Sequence, residues 1–213
     1  MGSADCDTPP GVRGECRSEP MLNGLRIADP PERWRALGFT VDEMGRVGLG
    51  GVTIALGPGG APGIQAWSLP AIDGLTHDEV GPADPEAEHP NGVIGLDHVV
   101  VLTPGFDRTD AAFAAAGLDY RRIRETPDGV RQGFRRCGPG IVEVVEVPQL
   151  SPGPARFWGL VPIAADLDAL CAHLGPELVS EPKPAVQPGR RIATVRRAAG
   201  LTCAMAFMTP DPG

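Results

Sequence analysis

The sequence predicts an α+β protein built from three tandem βαβββ modules, whose strands form cupped mixed β-sheets with short helices on the convex face. Three observations carry this. The segments Asp29 to Gly38, Asp107 to Gly117 and Asp166 to Gly175 repeat one pattern, an Asp, a short apolar-striped helix and a Gly stop. Apolar strands closing at Leu69, Val147 and Phe207 follow the three helices at similar offsets. A stretch rich in Pro and acids, residues 73–92, separates the first copy from the other two and reads as a linker.

Residues 1–20 hold Gly, Pro and charge with no apolar run, and are expected to form a disordered tail. The first module, residues 21–72, opens on a strand ending at Leu25 and Ile27. Asp29 is placed to cap a helix whose first turn holds Pro30, Pro31 and Glu32, where a missing N–H costs little. The second, residues 93–148, has the β-branched run Val99 to Leu102, then Asp107 or Thr109 as cap for a helix over Ala111 to Ala116, with Gly117 at its end. The third, residues 155–210, repeats this with Leu160 to Ile163, Asp166, a helix over Leu167 to Leu174, and Gly175. Helices of two or three turns do not persist alone in water, so each must pack its apolar stripe on strands. Where two modules share one sheet, the third must pack against that pair or be buried in a homodimer.

Composition excludes several function classes. The net charge of −8 and the scatter of arginines over all three modules argue against a nucleic-acid or acidic-membrane partner. Only one lysine, Lys183, is present, which makes Schiff-base and P-loop chemistry poor readings. The five cysteines, Cys6, Cys16, Cys137, Cys171 and Cys203, are odd in number and lack CxxC spacing, so they read as free thiols of a cytoplasmic protein. No apolar run is long enough to span a bilayer.

The second module carries a resemblance. Its first strand, Gly95-Leu96-Asp97-His98-Val99-Val100-Val101, and its closing strand, Ile141-Val142-Glu143-Val144-Val145-Glu146, are similar to the vicinal oxygen chelate superfamily, which includes glyoxalase I, bleomycin-resistance proteins, fosfomycin-resistance enzymes, methylmalonyl-CoA epimerase and extradiol dioxygenases. The similarity runs from about Met21 to Pro210 and is weaker outside the second module. It implies a cupped sheet shared by two modules, with a divalent metal (Zn, Mn, Fe, Ni or Mg) held on its concave side at His98 and Glu143. Gln65 becomes a third ligand if the first and second modules pair. In the third module Trp158 or Gly159 stands for the His and Met205 for the Glu, and neither Trp nor Met binds a hard cation.

Two functions follow. One is a metal-dependent lyase, isomerase or dioxygenase acting on a small organic molecule. The other is a metal-free small-molecule binder of the drug-sequestering kind, its pocket walled by Trp67, Phe134, Trp158 and Phe207, with Arg190 for an anionic group. Each residue also has a plain structural role available: a hydrogen-bonded strand histidine, a solvated strand glutamate, core aromatics, a charged strand edge. His77 and His89, in the Pro-rich linker, read as solvated rather than as metal ligands.

Overall fold

The computed structural model describes residues 19–85 and 87–212; nearly all of the expected tail lies outside them. Its strands form two sheets. The first module supplies β1 (Gly24–Ile27), α1 (Pro31–Ala36), β2 (Arg46–Leu49), β3 (Val52–Leu56) and β4 (Ile64–Trp67), and its strands form a four-stranded sheet in the order β2-β3-β1-β4. The second module is β5 (Val93–Thr103), α2 (Phe106–Ala115), β6 (Arg122–Glu125), β7 (Arg131–Cys137) and β8 (Gly140–Glu146). The third is β9 (Arg156–Ala164), α3 (Leu167–Leu174), β10 (Lys183–Pro184), β11 (Arg191–Thr194) and β12 (Ala204–Met208).

The second and third modules share one eight-stranded sheet, β10-β11-β12-β9-β5-β8-β7-β6. Its centre is the antiparallel pair β5 and β9. Each of these runs parallel to the closing strand of its own module, β5 with β8 and β9 with β12. A short helix precedes each parallel return, which a hairpin could not supply.

Helix starts differ in chemistry although their sequences rhyme. Asp166 caps α3 as its spacing predicts, accepting from the Ala169 N–H at 2.9 Å. Asp29 does not cap α1. Its carboxylate is wholly buried, accepting from Trp34 Nε1 at 3.0 Å and from the Thr202 N–H of the third module at 2.7 Å. Asp107 lies inside the first turn of α2, whose N-cap is Gly105, and the Thr109 hydroxyl donates to Asp73 at 2.5 Å.

The leftover first module packs on the pair. Trp67 stands edge-on to Phe113 of α2 and Phe157 of β9, with ring centroids 6.1 and 5.1 Å away, and Phe39 stacks on Phe207 of β12 at 6.1 Å. One buried cluster therefore runs through all three modules. On the shared sheet it uses Val99, Val101, Val142, Val144, Leu160 and Phe207, the face turned away from the hollow described below.

Residues 73–85 and 87–92 join the first module to the second and are tied to both by individual side chains. Asp73 is held by both nitrogens of a two-pronged Arg108 contact at 3.0 and 3.1 Å. The Asn91 amide spans the Leu37 carbonyl and the Val93 N–H. His89 is buried rather than solvated: Nδ1 accepts from the Thr40 N–H at 3.1 Å, so the ring hydrogen sits on Nε2 and points to the Gly48 carbonyl at 2.8 Å. Burial holds this imidazole below its ordinary pKa, outweighing the Gly48 carbonyl, which favours the cation. A group depressed in the folded state contributes stability that is complete above its unfolded value and drains away as pH falls. Chemical denaturation midpoints of the wild type are therefore expected to drop below about pH 6.5 faster than those of His89→Gln, which cannot titrate there. Parallel curves would contradict the assignment.

Candidate functional site

Strand alternation builds the hollow. On the face opposite the core, β5 presents His98, Val100 and Leu102, and β8 presents Glu143 and Val145. Ala204 and Ala206 of β12 and Ile192 and Thr194 of β11 continue the same face. Gly159 lies so close to the Ala204 backbone that a Cβ would overlap its carbonyl, so glycine keeps the floor flat there. Together these enclose a cavity of about 390 Å³ whose wall is aliphatic except for His98, Glu143, Thr194 and Trp158. Trp158 is drawn into the wall by a shift in the β5 to β9 register between Val100 and Val101, and is 53% exposed.

The polar end is a chain of four buried side chains. His98 and Asp97 are neighbours on β5, and simple alternation would point them to opposite faces. A register irregularity between Leu96 and His98 leaves Asp97 without a partner on β9 and lets it reach the histidine. Asp97 Oδ2 is 2.6 Å from His98 Nδ1, and Asp97 Oδ1 is 2.6 Å from Arg190 Nη2. Arg190 is fixed in turn by donating twice to the Thr209 carbonyl, at 2.9 and 2.7 Å. On the cavity side, His98 Nε2 is 3.3 Å from Glu143 Oε2, and Gln132 Nε2 donates to Glu143 Oε1 at 3.3 Å.

Electrostatics divide the two carboxylates. Burial alone would raise Asp97, but hydrogen bonds from His98 and Arg190, then their charges, overturn it and hold Asp97 below the usual carboxylate range. Glu143 moves the other way: burial lifts it and the nearby Asp97 adds to the lift, against the pull of His98 and Arg124. An ionised Asp97 can only accept, so the hydrogen on Nδ1 belongs to His98. Nε2 is then the ring nitrogen turned to the cavity side, where it faces the Glu143 carboxyl.

The structure brings together some of the sequence-selected residues and separates others. His98, Glu143 and Trp158 line the cavity. Phe134 lies beside it on β7, paired with Glu143 and so on the same face. Trp67 and Phe207 are wholly buried core residues. Arg190 is spent on Asp97 and Thr209 instead of facing a ligand. Gln65 is kept away from His98 because the second and third modules pair. It belongs to β4, donates to the carbonyls of Gly59 and Ala61, and borders a different cavity between the first and third modules.

That pairing also decides how a metal fits. On the concave face of the third module the strands present Gly159, Ala204 and Ala206, while Met205 pairs with Leu160 and joins the buried cluster, leaving one His and one Glu at the cavity. Among the described residues no group of three His, Cys, Asp or Glu side chains could hold a metal ion. Two donors fall short of the three or four that zinc centres use, so this donor set does not fit a protein-held zinc ion.

Two βαβββ modules joined through their first strands, with a common concave face, decide the architecture. The fold is of the vicinal oxygen chelate type. No family model matches the sequence, and no curated protein matches it. Among solved structures, the chain is similar to methylmalonyl-CoA epimerase from Mycobacterium tuberculosis, with 18% identity over 57% of this chain and 91% of that one and a TM-score of 0.47. A Streptomyces coelicolor methylmalonyl-CoA epimerase variant in complex with 2-nitronate-propionyl-CoA gives 17% identity over 56% and 96% of the two chains, with a TM-score of 0.46. A hypothetical protein from Bacillus halodurans gives 16%, 55%, 95% and 0.45. Among the described residues of this chelate-type fold, no helix is long and apolar enough to cross a membrane.

Sequence reasoning passed over Asp97, because alternation assigns it to the wrong face, and Gln132, which carries no motif. A visible signal existed for Asp97: an acid next to a histidine at a strand start is worth testing as its orienting partner.

Proposed function

We propose that the cavity binds a small, largely apolar organic molecule that presents one hydrogen-bonding group to the His98 and Glu143 pair, with no metal held by the protein. The observation that carries this is the wall, apolar except for His98 and Glu143 on β5 and β8, Thr194 on β11 and the Trp158 indole. Small-molecule sites are commonly built this way, apolar for affinity and sparingly polar for orientation. The contact of His98 Nε2 with Glu143 Oε2 favours a second reading on the same site, proton transfer to or from the bound molecule in an isomerase or lyase reaction. Under that reading Asp97 orients the imidazole, and Glu143, lifted by burial, serves as the partner acid or base.

The test is the neutral dye N-phenyl-1-naphthylamine, whose emission rises in apolar surroundings. Saturable binding is expected in the wild type. Ala206→Phe, which places a ring in the hollow from β12, is expected to weaken it by about tenfold or more, since a methylene lost from a pocket already costs about 1–3 kcal/mol. Unchanged binding in that variant would show that the dye sits elsewhere. Turnover, where it exists, is expected to vanish in both His98→Gln and Glu143→Gln with dye binding retained.

A further inference from the structure

The two halves of the concave face are chemically unlike, and the difference names the ligand class. On the third-module side the face is Gly159, Ala204, Ala206, Ile192 and Thr194, with one cation, Lys183, beside Ile192 on the edge strand β10. On the second-module side the register runs from Glu143 on β8 to Phe134 on β7, and from Phe134 to Arg122 on β6. One step along the strands, Val145 lies beside Gln132 and Gln132 beside Arg124; one step the other way, Ile141 lies beside Arg136. Paired residues in a sheet share a face, so Arg122, Arg124 and Arg136 lie on the same face of the sheet as His98 and Glu143, beyond the lining of the hollow.

These three arginines form no ion pair with a described acid. On the concave face of β6, β7 and β8 the one acid is Glu143, already engaged by His98 and Gln132. Arg121 and Arg135, which alternate to the other face, both reach Glu19, and Arg131 reaches Asp107 and Glu146. In a chain of net charge −8 acids are plentiful, yet on this face of β6, β7 and β8 no described acid other than Glu143 accompanies the trio. An edge strand can carry arginines simply to deter pairing with another sheet, but that role is served by either face of the strand. Arg136 lies on β7, which is paired on both sides.

We infer that the ligand is an amphipathic organic acid: its apolar body fills the hollow over β9 and β12, its middle crosses the His98 and Glu143 pair, and its carboxylate, sulfonate or phosphate lies against Arg122, Arg124 and Arg136. Strand spacing puts β6 about 10 Å from β8, a span that the ligand and the arginine side chains close from opposite ends. Arg124 already acts on Glu143 electrostatically, which places its charge near the polar end of the cavity. Guanidinium groups suit this work because they pair with flat anionic groups through two parallel hydrogen bonds.

This inference rests on the proposed binding cavity, and a matched pair of dyes separates the two. 1-Anilinonaphthalene-8-sulfonate and N-phenyl-1-naphthylamine share one ring skeleton and differ in the anionic group. The sulfonate is expected to bind the wild type about tenfold more tightly than the neutral dye. That advantage should disappear in the triple variant Arg122→Gln, Arg124→Gln, Arg136→Gln, and should shrink as salt rises toward about 1 M, where screening is nearly complete within one contact distance. Neutral-dye affinity should stay level throughout, which also shows that the triple variant is folded. Equal affinity for the two dyes, or a sulfonate advantage that survives in the triple variant, would overturn the anionic subsite while leaving the apolar cavity in place. Absence of saturable neutral-dye binding in the wild type would overturn the cavity itself and the subsite with it.

Discussion

Asp97→Ala is expected to cost about 3–5 kcal/mol of folding stability, because it leaves the Arg190 guanidinium buried with its charge uncompensated. Both side chains are at least nine-tenths buried, so water cannot substitute for the missing partner. The Thr209 carbonyl would remain as the acceptor for Arg190, which satisfies hydrogen bonds but not charge. Replacing both ends with apolar side chains, Asp97→Leu with Arg190→Met, is expected to recover most of the loss, since the penalty comes from the orphaned charge rather than from an absent attraction. Urea midpoints with an unchanged slope measure both effects. The pH dependence has a fixed sign. Asp97 is depressed in the folded state, so its contribution is complete above the ordinary carboxylate range and is lost as pH falls through its folded value. The gap between wild type and Asp97→Ala should accordingly close in acid. A small loss at neutral pH, or a double variant no better than the single one, would show that the pair does not hold β5 to the start of β11.

Under the proposed proton-transfer reading, the same carboxylate sets the tautomer of His98. With Asp97 as Asn, the amide can offer a hydrogen to His98 Nδ1, reversing the tautomer and presenting Nε2–H to Glu143 even when the imidazole is neutral. The energetic and chemical roles of Asp97 thus arise from one local event, an extra residue in the β5 to β9 register.

That event also marks where the sequence stops being legible. Of the repeated Asp, helix and Gly punctuation, the Gly stop held at all three helices because left-handed termination is decided within a few residues, whereas only Asp166 of the three Asp caps its helix. Gly38, Gly117 and Gly175 all adopt positive φ, at 78°, 73° and 78°. Alternation likewise placed His98 beside Val100 and Glu143 beside Val145 on one face. What pairs with what is a long-range property. The hydrophobic pattern of β5 suits burial against either neighbour, so nothing local selected β9 over the first module and the fate of Gln65 stayed open. Arg190 was misread for a related reason: the Gln187-Pro188-Gly189 turn marks a charged loop, but only the packed sheet shows Asp97 lying within reach of it. The joining strap, residues 73–85 and 87–92, has the composition of a linker. Its backbone is tied down by single side chains, Asp73, His89 and Asn91, which a compositional reading averages away.

Trp67→Ala is expected to cost about 3–5 kcal/mol, the range for deleting a buried aromatic, and to loosen the first module more than the other two. Trp67 closes β4, and its ring is fully buried between Phe113 of the second module and Phe157 of the third. Its Nε1 donates to the Pro70 carbonyl at 3.0 Å, and its backbone bridges to His77, so the side chain also pins the start of the strap. Few other contacts can take over. The β4 strand meets the shared sheet chiefly at β9, and β2 meets it at β5, where Gly50 and Gly95 approach closely. The loss should therefore be uneven. Hydrogen exchange is expected to rise most in β1, β3 and β4, with β5, β8 and β9 remaining protected because their ladder does not pass through Trp67. Neutral-dye binding in the hollow should survive, since that hollow lies on the opposite face of the shared sheet. Uniform deprotection of all three modules would mean that the first module and the pair unfold as one unit, and the first module would then be a structural part of the binding sheet instead of a cover for its back.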